Sequence, residues 1–207
     1  MEFASTDPSV VRSIKQRVLL NAWLRARRQP RDLPAAANFQ PDGLEDEIAD
    51  MMGFDVEGTG ETARFFITQE GSRLAAAYGN ERLDPAARIN RYLDAAIDPV
   101  VYARVLPCYH TCVRCKRPTY SIATVKDLDG KDVSFERLLL PFGSGDAVET
   151  IVGSYKAISI EGGFNVSNLM GLRADTRPVR LLSAVIDRDL ARRPPGVRVS
   201  DDIIETG

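Results

Sequence analysis

The chain is poor in the residues that carry most enzyme chemistry. Its 207 residues include one histidine and three cysteines, so a catalytic triad that needs histidine would depend on a single side chain. The pattern G-x-x-x-x-G-K-[ST] is absent, which removes the common phosphate-binding loop. The pattern G-x-S-x-G is absent too, and with it the usual nucleophile elbow. No catalytic residue is nominated, and we expect a protein that is not an enzyme.

Long apolar runs and an excess of one charge are missing as well. No run approaches the length that a membrane-spanning helix needs, and the N-terminus lacks the hydrophobic core of a secretion signal. The three cysteines are too few and too close together for a disulfide framework. The formal net charge of −2 disfavours a protein whose partner is nucleic acid. These absences favour a cytoplasmic protein with no nucleic-acid partner and no membrane span.

The scarce residues fall together in the stretch CYHTCVRC, from Cys108 to Cys115. In a helix, Cys108, Cys112 and Cys115 share one face, while His110 lies on the outer face. We expect the cysteines to act as small apolar residues that pack against a sheet, and we predict no metal site and no cofactor. The alternative is a thiol-redox sensor that uses Cys112 and Cys115, or a haem-binding sensor that uses His110.

Positive charge is concentrated near the N-terminus. From Arg12 to Arg31 there are seven basic residues and no acidic one. Asp7 as cap and Pro8 at the first position predict a helix that runs to about Gln29. The basic side is expected to face solvent, in preference to contacting nucleic acid or an anionic membrane.

The apolar stripe of this helix is expected to form the interface of a homodimer. Its interface candidates are Val11, Ile14, Val18 and Trp23, a patch too large to leave in water. The connector that follows is rich in proline and therefore stiff. We accordingly predict that the helix stands off from its own sheet and meets a second copy of the chain.

The remaining pattern predicts three parts and an α+β fold. Residues 1–29 form the amphipathic helix, 30–163 a domain, and 164–207 a partly mobile C-terminal extension. Within the domain, EDEIADMMGFDVE is predicted to hold a short helical turn and then a strand, and ARFFIT is predicted to be a second strand. Helices at 72–79, 84–96 and 98–117 follow. Three strands follow, with Asp129 and Gly130 as the hairpin turn between the first two. In the extension, RPVRLLSAVIDRDLARR is predicted to form a helix.

Four phrases in this order resemble the PAS domain, in particular a PAS-like family of small bacterial proteins. The resemblance covers about Val18 to Ile160. The phrases are AWLRARRQPRDLPAAANFQPDGL, ARFFITQEGSRLAAAYGNE, RCKRPTY and ERLLLPFGSGDAVETIVGSY.

The resemblance implies a five-stranded antiparallel sheet flanked by helices. It also implies a non-catalytic sensory or signalling module that acts through homodimerisation, partner binding or small-ligand binding. PAS domains often dimerise through an N-terminal amphipathic helix, and some hold a ligand between the sheet and the helices. The flavin-binding motif of photosensor PAS domains is absent, and the cofactor-binding residues are unknown.

Overall fold

A computed structural model describes residues 3–29, 32–41, 43, 45–77, 87, 89–160, 162–165 and 178–187. Its strands are β1 (Ala4–Thr6), β2 (Met51–Glu57), β3 (Arg64–Glu70), β4 (Arg91–Tyr92), β5 (Thr119–Lys126), β6 (Asp132–Phe142), β7 (Thr150–Ser159) and β8 (Val179–Ile186). Its α-helices are α1 (Ile14–Ala26), α2 (Ser72–Ala77), α3 (Leu93–Ala96) and α4 (Pro99–Cys115). Short 3₁₀ turns cover Pro8–Val10, Ala36–Asn38, Glu45–Asp50 and Gly60–Thr62.

All eight strands form one sheet in the order β1-β8-β5-β6-β7-β2-β3-β4. Every neighbouring pair is antiparallel except β1 and β8, which run parallel. The prediction of an α+β fold is confirmed, whereas the prediction of five strands is wrong. The short strands β1 and β4 and the longer β8 extend the sheet at its two ends.

The C-terminal extension supplies β8, so the helix predicted there is wrong over Val179–Ile186. This strand pairs with β5 on one side and β1 on the other. Its last three residues, Ala184, Val185 and Ile186, are all buried, so this end of the strand is covered on both faces. The mobility predicted for part of the extension falls on its last segment, PPGVRVSDDIIETG, which lies outside the described residues.

The N-terminal helix is shorter than predicted and begins later. Asp7 and Pro8 start only a single 3₁₀ turn, in which the Asp7 side chain accepts from the Ser9 amide. The chain then extends before Ser13 caps α1, which ends at Ala26. The helix predicted over residues 84–96 is wrong at Arg91–Tyr92, which form β4. Its residues 84–86 and 88 lie outside the described part of the chain.

Two helices cover opposite faces of the sheet and give it a core on each side. Helix α4 packs over one face, where Cys108 and Cys112 meet Phe54 and Leu139. Helix α1 packs over the other face in a separate core cluster. Its members are Val11, Leu19, Leu20, Trp23, Tyr120, Ile122, Leu138, Leu140, Phe142 and Ile186. The strands in the middle of the sheet are consequently buried on both faces.

Helix α1 is fixed to its own sheet, so the expectation that it stands off is wrong. The indole Nε1 of Trp23 donates to the Pro141 carbonyl at 2.7 Å, and Gln16 Nε2 donates to the Ser154 carbonyl at 3.0 Å. Of the four interface candidates, Val11 and Trp23 are 1% and 0% exposed within the single chain. Val18 is partly buried against the same cluster, and only Ile14 is largely exposed, at 70%.

The described part of the chain contains no helix that is both long enough and apolar enough to cross a membrane.

Replacing Trp23 tests whether α1 is a layer of the core. We expect Trp23→Ala to lower the free energy of unfolding by about 3–5 kcal/mol, because it leaves a large cavity and an unpaired carbonyl at Pro141. Arg25→Ala, on the exposed side of the same helix, is the control and should change it by less than about 0.5 kcal/mol. Chemical denaturation measures both, and equal small effects would show that the helix does not pack as described.

Candidate functional site

The centre of the sheet holds two buried charged residues that are adjacent in sequence. Glu136 and Arg137 lie in the middle of β6 and are 2% and 7% exposed. Because neighbouring side chains on a strand point to opposite faces, Arg137 lies beneath α4 and Glu136 lies on the α1 side. Burying a charge is costly unless polar groups surround it, so each residue organises a polar centre within an apolar core.

The centre beneath α4 joins Arg137 to two tyrosines. The guanidinium carbon of Arg137 lies 5.7 Å from the ring centroid of Tyr155 and 5.9 Å from that of Phe135. Its Nη1 is 3.8 Å from the Cys108 sulfur. The hydroxyls of Tyr109 and Tyr155 share a hydrogen bond of 2.6 Å. A cation and two phenols thus meet between the sheet and its covering helix.

Tyr109 is held in the neutral state. Burial raises the pKa of Tyr109 to about 12, with Arg137 and the Tyr155 hydroxyl acting in the opposite direction. A buried phenol with a raised pKa stays protonated at neutral pH and can serve as a hydrogen-bond donor. Because the pKa of Tyr109 is raised above its ordinary value of 10, its contribution to the free energy of unfolding is fully present below pH 10. That contribution is lost as the pH rises through the folded-state pKa.

Gly153 makes room for this arrangement. A Cβ at Gly153 would lie 2.6 Å from the Tyr155 hydroxyl and 2.8 Å from the Cε2 atom of its ring. The ring therefore folds back over the backbone of its own strand, in space that any other residue would fill. That position lets Tyr155 reach Tyr109 on α4.

The centre on the α1 side is built around Glu136. The Tyr120 hydroxyl donates to Glu136 Oε2 at 2.7 Å and accepts from the Arg12 amide at 3.1 Å. Burial is the main cause that raises the pKa of Tyr120, so its hydroxyl proton stays available to the carboxylate. Since Arg12 precedes α1, this chain of hydrogen bonds links the start of the helix to the middle of the sheet.

An ionic cluster borders this centre. Lys156 pairs with Glu136 across the β6–β7 ladder. Its Nζ binds Glu47 and lies 2.6 Å from Asp50 Oδ2. Arg73 closes the cluster, with its Nε 2.7 Å from Asp50 Oδ1. The pKa of Asp50 is lowered: burial acts to raise it, but hydrogen bonds from Arg73 and Lys156 outweigh that effect.

The cysteines pack as the sequence predicts. Cys108 and Cys112 are 1% and 0% exposed in the core beneath α4, while Cys115 is partly exposed, and all three are free thiols. Burial raises the pKa of the Cys112 thiol, and its sulfur lies 3.9 Å from the Leu139 carbonyl oxygen. A thiol that resists ionisation is a poor nucleophile and a poor redox group.

His110 lies closer to the protein than the sequence predicts. Its Nε2 is 3.2 Å from the Ala63 carbonyl oxygen, and its ring centroid is 5.8 Å from that of Phe65. The residue is partly buried and fastens α4 to the start of β3. It does not point into the core with the cysteines, because two residues of helix separate it from Cys108 by about 200°.

Sequence reasoning missed both polar centres. The segment FERLLL contains an ordinary charged pair, and adjacent charges usually mark a solvated position. The sequence signal was their position, since Glu136 and Arg137 lie between Phe135 and the apolar run LLLPF in one strand of 11 residues. A strand that is buried on both faces has no solvated side, so its charged residues have to be accommodated inside the protein.

The two polar centres offer groups that can form hydrogen bonds and ion pairs. Arg137 and the tyrosines can hold polar atoms in place, but His110 and Cys112 are each engaged elsewhere. Among the described residues, no group of three or more His, Cys, Asp and Glu side chains is arranged to hold a metal ion. Comparisons with protein-family models, curated proteins and solved structures find no match to this chain.

Gly153→Ala tests the packing of the centre beneath α4. The new methyl group overlaps the Tyr155 ring, so we expect a loss of about 1–3 kcal/mol in the free energy of unfolding and a changed near-UV tyrosine signal. Gly145→Ala is the matched control, because a Cβ at Gly145 has no atom within 4 Å. If Gly153→Ala is as stable as this control, Tyr155 does not lie across Gly153.

Proposed function

We propose that this protein is a non-catalytic, cytoplasmic, PAS-like signalling module that acts through contacts with other molecules. The observation that carries the proposal is the middle of the sheet. Strands β5, β6, β7, β2 and β3 are adjacent and antiparallel, and the helices α2 to α4 all fall between β3 and β5 in sequence. This agrees with the five antiparallel strands and flanking helices that the PAS resemblance implies.

Two glycines within the resembling phrases support the same proposal. A Cβ at Gly71 would lie 2.3 Å from the Ala49 carbonyl oxygen, and Gly153 makes room for Tyr155. Both positions therefore need glycine for a steric reason in this fold. The phrases therefore resemble the PAS family at residues on which the packing depends, and this supports the resemblance.

The centre beneath α4 lies where some PAS domains hold a ligand, between the sheet and the helices. Arg137, Tyr109 and Tyr155 are the described groups that a small polar ligand would meet there. The free thiols Cys108, Cys112 and Cys115 suit a reducing compartment and support the cytoplasmic location.

The alternative, a thiol-redox or haem-binding sensor, has weaker support. Cys112 is fully buried with a raised pKa, whereas a redox cysteine is accessible and has a lowered one. His110 binds the Ala63 carbonyl on the side of α4 away from the cysteines. Haem binding would require His110 to leave the Ala63 carbonyl. Redox chemistry would require Cys112 to leave the core.

Self-association belongs to the proposal, and the sheet offers a surface for it. Ile158, Ser134, Thr124 and Val179 are cross-strand neighbours in one row on the α1 face. Ile158 and Val179 are 43% and 61% exposed. The row contains no charge, so two copies can meet there without repulsion, whereas Ile14 lies among basic side chains.

We expect sedimentation velocity to find a dimer at micromolar concentrations. Val179→Lys should convert it to a folded monomer, because two lysines would face each other across a twofold interface. Val100→Lys, at an apolar residue of similar exposure on α4 (53%), should leave the dimer intact. A wild-type chain that sediments as a monomer at every concentration would contradict the proposed self-association.

A further inference from the structure

Helix α1 and its flanking residues expose a group of basic side chains at the surface of the protein. The side chains of Arg12, Lys15, Arg17, Arg25 and Arg28 are all exposed, and we call them the basic face. None of them forms an ion pair with a residue that the structure describes. Elsewhere in the described part of the chain, basic residues do hold a carboxylate, among them Arg64, Arg73, Arg114, Lys116, Lys126 and Lys156.

The helix holds this basic face in a fixed position. Its opposite side is anchored by Trp23 and Gln16, whose hydrogen bonds reach two different strands. Arg17, Asn21 and Arg25 recur at every fourth residue, so they follow one line along the exposed side at steps of about 6 Å. The surface is therefore a pre-organised array of positive charge, which loses little conformational entropy on binding.

We propose that the basic face is a docking surface for an acidic helical segment of a partner protein. Guanidinium groups pair with carboxylates through two parallel hydrogen bonds, and arginine is enriched at protein interfaces. Ile14, 70% exposed at the start of the helix, supplies an apolar contact beside the charges. The inference rests on the proposed function only in assuming that the module acts through partners.

The charge distribution favours a short acidic partner over other anions. Residues 12–31 carry seven positive charges while the whole chain carries −2, so the remaining residues together carry −9. A long polyanion such as duplex nucleic acid would extend beyond the basic face and meet this negative charge. A segment about as long as α1, or about 20 Å for 13 residues, can stay within it.

Two further occupants fit less well. A second copy of the chain would present the same basic face, and the two would repel each other. A membrane surface binds an amphipathic helix mainly through its apolar side, but the apolar side of α1 is buried against the sheet. We therefore assign the basic face to a negatively charged surface on another protein.

The test uses the full chain and a defined probe, a fluorescent helical peptide with glutamate at every fourth position and leucine beside it. We expect fluorescence anisotropy to show binding that weakens as the salt concentration rises. The double variant R17E/R25E should bind at least about tenfold more weakly. The control R64E/R114E makes the same change in net charge at exposed arginines elsewhere and should bind within about twofold of the wild type.

Near-UV circular dichroism of each variant establishes that it is folded before its binding is compared. Equal binding by R17E/R25E and the wild type, or no binding of the peptide to the wild type, would overturn the inference. So would tighter binding of a short DNA duplex or of phosphatidylserine vesicles, if R17E/R25E abolished it. A monomeric chain that binds the peptide as expected would refute the proposed self-association and leave this inference standing.

Discussion

The structure depends on the burial of β6 on both of its faces. Leu138 and Leu140 pack beneath α1, while Leu139 packs beneath α4. A strand in this situation needs a covering layer on each side, because either uncovered face would leave a row of large apolar side chains in water. The N-terminal helix is therefore as necessary to the sheet as the long helix that precedes β5. The same double burial forces Glu136 and Arg137 into the interior, where each requires polar partners.

The polar partners of Glu136 and Arg137 explain the buried tyrosine contacts in the interior. Tyr120 donates to Glu136, and Tyr155 lies beside Arg137 in a position that Gly153 leaves open. The hydrogen bond from the Arg12 amide to Tyr120 then connects the polar centre around Glu136 to the start of α1. The covering helix is held by polar contacts as well as by apolar burial, and polar contacts specify a register that apolar packing alone does not.

Local signals predicted some boundaries and misplaced others, since Asp7 and Pro8 start only a 3₁₀ turn. Asp98 and Pro99 mark the start of α4, and Asp129 with Gly130 marks the β5–β6 turn, as their side chains and backbone preferences require. The strand β8 was missed because Val179, Leu182 and Ile186 fit a helical spacing, while a register shift in its pairing with β5 interrupts the alternation of a strand. Only pairing with β5 and β1, which is distant in sequence, decides between the two.

The partner of α1 and the burial of the charged pair could not be read from the sequence for a similar reason. An amphipathic stripe predicts that Trp23 is covered but not by what, and the strands whose buried residues cover it, β5, β6 and β8, begin only at Thr119. Glu136 looks like a surface residue until both faces of its strand are known to be covered. Cys112 and His110, the residues of the redox and haem alternatives, are engaged in packing. We therefore infer that the function lies in contacts with other molecules.

Native-state hydrogen exchange tests most directly whether α1 and β6 form one cooperative core. If they do, the amides of Leu20 and Trp23 in α1 should exchange only through global unfolding, with the same free energy as those of Leu138 and Leu139 in β6. Exchange of the α1 amides at a free energy several kcal/mol below that of β6 would show that the helix opens independently. That result would contradict the central claim that the doubly buried strand requires both helices.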